Sequence, residues 1–157
     1  MNSGANRKFD SEQLLEQYKL YVEMADRISQ RRDQSNRLYA SLLTALVALL
    51  LVFTRLDLST EIGTVVLLVD GISGILLSTV WFVNLQSYST LNKVKFTIIN
   101  DLESRLPAQG YSTEEELLRQ SNGWFGYRRL TAVEQLAPVV FSLPFCVLIA
   151  YSLCSLI

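Results

Sequence analysis

Three long apolar runs, separated by charged segments, constrain this chain more than any other feature. The runs are Leu38–Phe53, Ile62–Leu85 and Ala137–Ile157, and the second and third contain one charged residue between them, Asp70. At 1.5 Å per residue, the 24 residues of the second run reach about 36 Å. That length exceeds the ~30 Å hydrocarbon core of a bilayer. The sequence therefore predicts an all-α integral membrane protein with three transmembrane helices.

The basic residues are distributed unevenly around these runs. Thirteen of the fourteen Lys and Arg precede the first run or lie between the second and the third, whereas Arg55 alone follows the first run. Cytoplasmic loops of membrane proteins carry the excess of Lys and Arg. With three crossings, this asymmetry predicts a cytoplasmic N-terminus, an external loop between the first two spans and an external C-terminus.

The polar segments beside the first two runs continue the helical pattern without a glycine or proline break. Asp10 is an N-cap candidate, and the pairs Glu23–Arg27 and Asp33–Arg37 are spaced for i,i+4 salt bridges. We therefore expect long cytoplasmic helical extensions of the first two spans that pack on each other. The predicted segments are a flexible N-terminus (1–9), a cytoplasmic helical stem (10–37), transmembrane helix 1 (38–54), an external loop (55–61), transmembrane helix 2 (62–85), a cytoplasmic stem, turn and short helix (86–136), and transmembrane helix 3 (137–157).

The short helix before the third span is predicted from its start signal. Ser112 is its N-cap candidate, and Glu115 is the matching capping-box residue. Trp124, Phe125 and Tyr127 follow and are typical of an anchor at the membrane interface.

The residue inventory argues against catalysis. The chain has no His, and its two Cys, Cys146 and Cys154, both lie in the third apolar run. Metal clusters of His and Cys and His-based acid–base catalysis are therefore not expected, and no glycine-rich phosphate-binding motif occurs. We predict no catalytic residues, no metal and no cofactor.

Asp70 is the most informative single residue because a carboxylate within a span is costly unless it faces a partner or water. On an ideal helix it shares a small or polar face with Ser73, Gly74, Trp81 and Asn84. One interpretation is a pore or gate formed by Asp70, Ser73 and Asn84 when several chains place this face inward. The other is helix–helix packing through small residues.

Six basic residues form the second candidate site. They lie on the two predicted stems near the membrane, where paired stems would gather them: Arg27, Arg31, Arg32, Arg37, Lys93 and Lys95. Guanidinium groups bind phosphates through bidentate hydrogen bonds, so the set could hold an anionic nucleotide. Membrane anchoring with intrahelical salt bridges is the alternative interpretation.

Three blocks of sequence resemble the signatures of the RipA family of bacterial membrane proteins, which are described as octameric. The first block is Tyr18 to Arg32 followed by Asn36. The second comprises Ser87-Tyr88, Leu91-Asn92, Lys95-Phe96, Ile99, Glu103, Leu106-Pro107 and Tyr111, and the third comprises Leu130-Thr131, Val133-Glu134 and Pro138. The resemblance covers most of the chain and implies a homo-oligomer, of tetramer to octamer size, in the bacterial inner membrane.

The layout is also similar to the SLATT membrane effectors of bacterial antiphage defence. In those systems a nucleotidyltransferase produces a nucleotide or oligonucleotide signal, and the membrane protein is thought to form pores. The resemblance implies an ion channel or pore-forming effector controlled by a nucleotide bound to its cytoplasmic helices. A non-conducting structural or stress-related scaffold of the RipA type is the alternative.

Overall fold

The computed structural model describes the backbone of residues 3–53, 55, 60–107, 109–121 and 128–156, and the side chains of residues 11–53, 55, 61–107, 109–114, 116–117 and 133–155. Within these ranges the chain forms four helices and no strand. They are α1 (Ser3–Phe53), α2 (Thr60–Glu103), α3 (Gly110–Ser121) and α4 (Arg128–Leu156). The predicted all-α class is confirmed. The predicted anchor at Trp124, Phe125 and Tyr127 lies outside the described residues.

Three of these helices are long and apolar enough to cross a bilayer, as predicted. The qualifying stretches are Ser11–Phe53, Glu61–Glu103 and Val133–Ser155. The 44 residues of α2 extend about 66 Å, roughly twice the ~30 Å of a hydrocarbon core. Both α1 and α2 must therefore continue beyond the membrane, which confirms the long helical extensions. Helix α1 begins at Ser3, ahead of the Asp10 N-cap that the sequence predicts.

The chain divides into two compact units, and α1 and α2 contribute to both. We call Met1–Arg32 with Ser87–Thr131 the stem unit, and Asp33–Gln86 with Ala132–Ile157 the span unit.

The span unit is built around a seam of buried residues on α2. Thr64, Gly71, Ser78 and Leu85 are buried and recur every seven residues, so they align along one side of the helix. Leu85 and the neighbouring Trp81 pack with Leu43 of α1 and Phe145 of α4 in the apolar core. The seam is thus the surface through which α2 holds its two partner helices.

Gly71 of the seam and the nearby buried Gly74 let α4 approach closely. A Cβ atom at Gly74 would overlap the ring of Phe145, and one at Gly71 would lie 2.7 Å from Ile149 Cγ1 and 3.3 Å from the backbone oxygen of Phe145. Lipid tails are as apolar as side chains, so spans associate through close van der Waals packing at small residues. A Cβ at Gly63 would meet nothing within 4 Å. Gly71 and Gly74 are therefore structural requirements, unlike Gly63.

The stem unit has its own small core. Ala25 of α1 and Ile99 and Leu102 of α2 are buried, and so is Glu103, with only 1% of its surface exposed. The α1 and α2 segments therefore pack on each other, as the sequence predicts. The chain leaves α2 through a turn in which the N–H of Leu106 donates to the Glu103 carbonyl (2.9 Å), and Pro107 follows.

Candidate functional site

The predicted pore residues lie beside the seam rather than in it. The buried residues of α2 include Gly71 and Ser78 together with Gly74 and Trp81, two members of the face that the sequence predicts. Asp70, Ser73 and Asn84 are half-buried on the flank of this buried face. We call these three residues the polar edge. From Asp70 to Asn84 they extend about 21 Å along the helix, a large part of the hydrocarbon thickness.

The carboxyl group of Asp70 lacks a hydrogen-bond partner on one side within the described part of the protomer. One of its carboxylate oxygens, Oδ2, is buried and has no hydrogen-bond partner among the described residues. A buried polar atom without a partner costs about 1–3 kcal/mol, and more when the group is charged. The protomer alone therefore does not complete the environment of Asp70.

The other two polar-edge residues are partly satisfied within the span unit. Ser73 Oγ donates to the Val69 carbonyl at 2.8 Å, which is a hydrogen bond within α2. Asn84 Nδ2 donates to the Tyr39 hydroxyl at a long 3.5 Å. Both side chains retain hydrogen-bonding capacity for a neighbouring molecule.

An aromatic cluster that the sequence did not reveal joins α1, α2 and α4 next to Asn84. The Trp81 ring stacks on Tyr39, with centroids 6.1 Å apart, and meets Phe141 edge-on at 5.8 Å. Trp81 Nε1 donates to Asn36 Oδ1 at 2.9 Å. Trp81 is 4% exposed, so this bond satisfies a buried donor. The signal in the sequence was a Trp and an Asn at the ends of the two apolar runs.

The most elaborate polar arrangement in the stem unit is centred on Glu103. Its Oε1 accepts hydrogen bonds from the Tyr111 N–H (2.8 Å) and the Tyr18 hydroxyl (3.2 Å), and its Oε2 accepts one from the Ser112 N–H (2.9 Å). Those two N–H groups open α3, so a carboxylate from α2 caps its N-terminus. Glu103, rather than Ser112, provides this cap, and α3 accordingly begins at Gly110.

The electrostatics of this cap favour an ionised Glu103. Burial by itself would raise the pKa of Glu103, but hydrogen bonds from the backbone of Tyr111 and Ser112 and from Tyr18 outweigh it. The pKa is lowered from its ordinary 4.5. Burial, and then the neighbouring Glu103 charge, raise the pKa of Tyr18 to about 12. The hydroxyl therefore stays protonated and donates to the carboxylate.

The predicted anion-binding residues are only partly brought together. Arg37 belongs to the span unit and pairs with Asp33 at 2.8 Å, while Arg27 pairs with Glu23 at 2.7 Å in the stem unit. These are the two i,i+4 salt bridges that the sequence predicts. Lys95 lies 4.7 Å above the Tyr21 ring.

The remaining members of the basic set differ in exposure. Arg31 and Lys93 are exposed on the stem unit, and Arg32 is half-buried there. Within the described part of the chain, no group of three carboxylate or thiol side chains is placed to hold a metal ion.

Comparison with known proteins matches residues 15–154 to the model of the octameric membrane protein family (8xMP). The chain belongs to this family. No curated protein and no solved structure matches it. Family membership and the three apolar helices together make the chain a multi-pass, oligomeric membrane protein. The oligomeric membrane protein that the sequence resemblance implied is confirmed at this level.

Proposed function

We propose that the chain assembles into an ion channel in which the polar edge of each α2 lines the conduction path. The observation that carries the proposal is Asp70, whose buried Oδ2 has no partner among the described residues of the protomer. Asp70 as a whole is only half-buried, so in an assembly of several copies the accessible part of its carboxyl group faces water or ions in a central path. Rings of Asp or Glu carboxylates are a common selectivity element of cation channels. The proposed activity is conduction of cations and involves no enzymatic step.

On α2, the residues that pack against α4 differ from those of the polar edge, and this difference supports the proposal. Helix packing, the competing explanation for the polar face, is performed by Gly71 and Gly74 against Phe145 and Ile149. Asp70 and Asn84 lie on the flank and contribute no small-residue contact of this kind. Close packing therefore explains the two glycines but does not explain the carboxylate of Asp70 or the amide of Asn84.

Control by an anionic nucleotide, and with it a role in antiphage defence, is the second part of the proposal. The exposed guanidinium of Arg31 and the exposed ammonium of Lys93 are the residues best suited to meet a phosphate in solution. Arg27 and Arg37 hold carboxylates in exposed salt bridges that a phosphate could displace at little cost. The stem unit is the expected receptor, and an oligonucleotide made by a nucleotidyltransferase is the expected class of ligand.

Ion flux from liposomes tests both parts. We expect reconstituted full-length protein to release a trapped cation, and Asp70→Asn to release it more slowly because the carboxylate is lost without a change of shape. Asp101→Asn is the matched control, since Asp101 is exposed and pairs with Arg105 at 2.8 Å. Flux that short oligoadenylates alter in wild type but not in Arg31→Gln/Lys93→Gln would support nucleotide control. Sealed liposomes under all these conditions would favour the non-conducting scaffold.

A further inference from the structure

The stem unit exposes a group of large apolar side chains on α1 and α2. The exposed fractions are 54% for Leu20, 38% for Met24, 50% for Leu91 and 54% for Val94. We call these four residues the uncovered stem face. Leu20 precedes the first apolar run by about 27 Å of helix, and Val94 follows the second by about 14 Å. The four residues therefore lie outside the two apolar runs, and their side chains are exposed in the protomer.

The two halves of the uncovered stem face form one surface. Lys95 Nζ, on α2, lies 3.7 Å from Met24 Sδ on α1. The same ammonium lies above the ring of Tyr21, one turn from Met24. Met24 of α1 is therefore close to Lys95 of α2, the residue next to Val94, so one partner can reach both helices.

Helix α3 lies on the opposite side of the stem unit. Tyr111 of α3 meets Tyr18 edge-on, with ring centroids 6.5 Å apart, and the Phe96 ring at 6.0 Å. Leu20 is two residues from Tyr18, and Val94 is two residues from Phe96. Two residues turn an α-helix by about 200°, so the uncovered stem face points away from α3.

The free surface of α3 complements the uncovered stem face. Leu117 is 60% exposed there, and the acidic residues Glu114 and Glu116 are exposed beside it. Arg31, seven residues after Met24, lies on the same side of α1 and is exposed. An apolar residue flanked by carboxylates on α3 thus matches an apolar surface flanked by a guanidinium.

We propose that the uncovered stem face binds α3 of a second copy of this chain, in a contact repeated from subunit to subunit. A closed ring requires a head-to-tail contact between two different surfaces of each subunit. The stem unit carries two such surfaces on opposite sides, and membership of an octameric family supplies a second copy. The proposal concerns assembly and is independent of whether the assembly conducts ions.

Disulfide cross-linking in isolated membranes tests the contact directly. In full-length protein with Cys146→Ser and Cys154→Ser, we introduce Leu117→Cys together with either Leu20→Cys or Val94→Cys. We expect at least one pair to give an oxidation-dependent ladder of oligomers, because each subunit would link to the next. The matched control combines Leu117→Cys with Lys93→Cys, which is adjacent in sequence to Val94 but about 100° round the helix. Absence of a ladder from both pairs, or an equal ladder from the control, overturns the proposal.

A charge placed on the uncovered stem face provides a second readout. Native mass spectrometry should show that Leu20→Glu shifts the protein from the oligomer towards smaller species. Gln30→Glu, at an exposed α1 position on another side of the helix, should leave the oligomer intact. Because Leu20 is exposed in the protomer, both variants should keep wild-type helical content by circular dichroism. A Leu20→Glu protein that stays fully assembled would contradict binding of a second copy at this surface.

Discussion

The same helix, α2, holds its neighbours in opposite ways in the two units. In the span unit, the absence of a side chain at Gly71 and Gly74 lets the α4 backbone and Phe145 approach α2 closely. In the stem unit, α2 holds its neighbours with a buried carboxylate, since Glu103 caps α3 and accepts a hydrogen bond from Tyr18. In apolar lipid there is no hydrophobic driving force for spans to associate. In water, burial of apolar surface is favourable, and burial of an unpaired polar group is unfavourable. The difference shows how one helix adapts to two solvents.

A large side chain at Gly74 should give the largest loss of stability. Gly74→Leu forces its side chain into the space of the Phe145 ring, and such overpacking costs about 3 kcal/mol. Thermal unfolding of the purified protein in detergent measures this loss. Gly63→Leu is the matched control, because a Cβ there meets no other atom. Equal destabilisation by the two substitutions would contradict a specific role for Gly74.

Removing the charge of Glu103 should give the second-largest loss of stability. Glu103→Gln keeps the size of the side chain but turns its amide donor towards an N–H donor of Tyr111 or Ser112. Since hydrogen bonds to charged groups contribute about 1.5–3 kcal/mol, we expect a loss of about 2 kcal/mol. The loss should appear as faster backbone hydrogen exchange in α3. Asp101→Asn on the same helix should leave exchange in α3 unchanged; a similar increase in both variants would rule out the cap.

Acid should remove the contribution of Glu103 gradually. Its pKa is lowered in the folded state, so ionised Glu103 stabilises the protein fully above the ordinary pKa of 4.5. That stabilisation is lost as the pH falls through the lowered value and the carboxylate is protonated. The difference in melting temperature between wild type and Glu103→Gln should therefore be constant from pH 7 to about pH 5 and shrink below pH 4.5. A difference that grows in acid would contradict this account.

Loss of the indole hydrogen bond should have the smallest effect. Trp81→Phe removes the donor to Asn36 while keeping a ring against Tyr39 and Phe141. We expect a cost of about 1 kcal/mol, the net value of a single buried hydrogen bond. The double variant Trp81→Phe/Asn36→Leu should recover part of it, because no acceptor is left unpaired. A double variant less stable than the single one would argue for a different role of Asn36.

Patterns confined to one helix were predictable from the sequence. The long helices follow from the apolar runs and their unbroken flanks, and the pairs Glu23–Arg27 and Asp33–Arg37 follow from i,i+4 spacing. Contacts between helices were not predictable in the same way. Glu103 caps a helix that begins seven residues later, and nothing in its local sequence distinguishes it from a surface carboxylate.

The packed face of α2 was only partly predictable from the sequence. An ideal helix of 3.6 residues per turn places Asp70 with Gly74 and Trp81. In the structure Gly74 and Trp81 are buried together with the seven-residue repeat of Gly71 and Ser78, whereas Asp70 is half-buried. This repeat reflects packing against α1 and α4, which a single sequence does not display. Asp70 therefore lies on the flank of the packed face, although Gly74 and Trp81 of the predicted face are part of the packing.

The reversal potential of the reconstituted protein across a salt gradient tests the proposed cation conduction most directly. If Asp70 lines the path, wild type should prefer cations, and Asp70→Asn should move the reversal potential towards the value of an unselective pore. Asp101→Asn, which removes the same charge outside the apolar runs, should behave as wild type. A reversal potential that is identical in wild type and Asp70→Asn, or the absence of any current, would contradict the account.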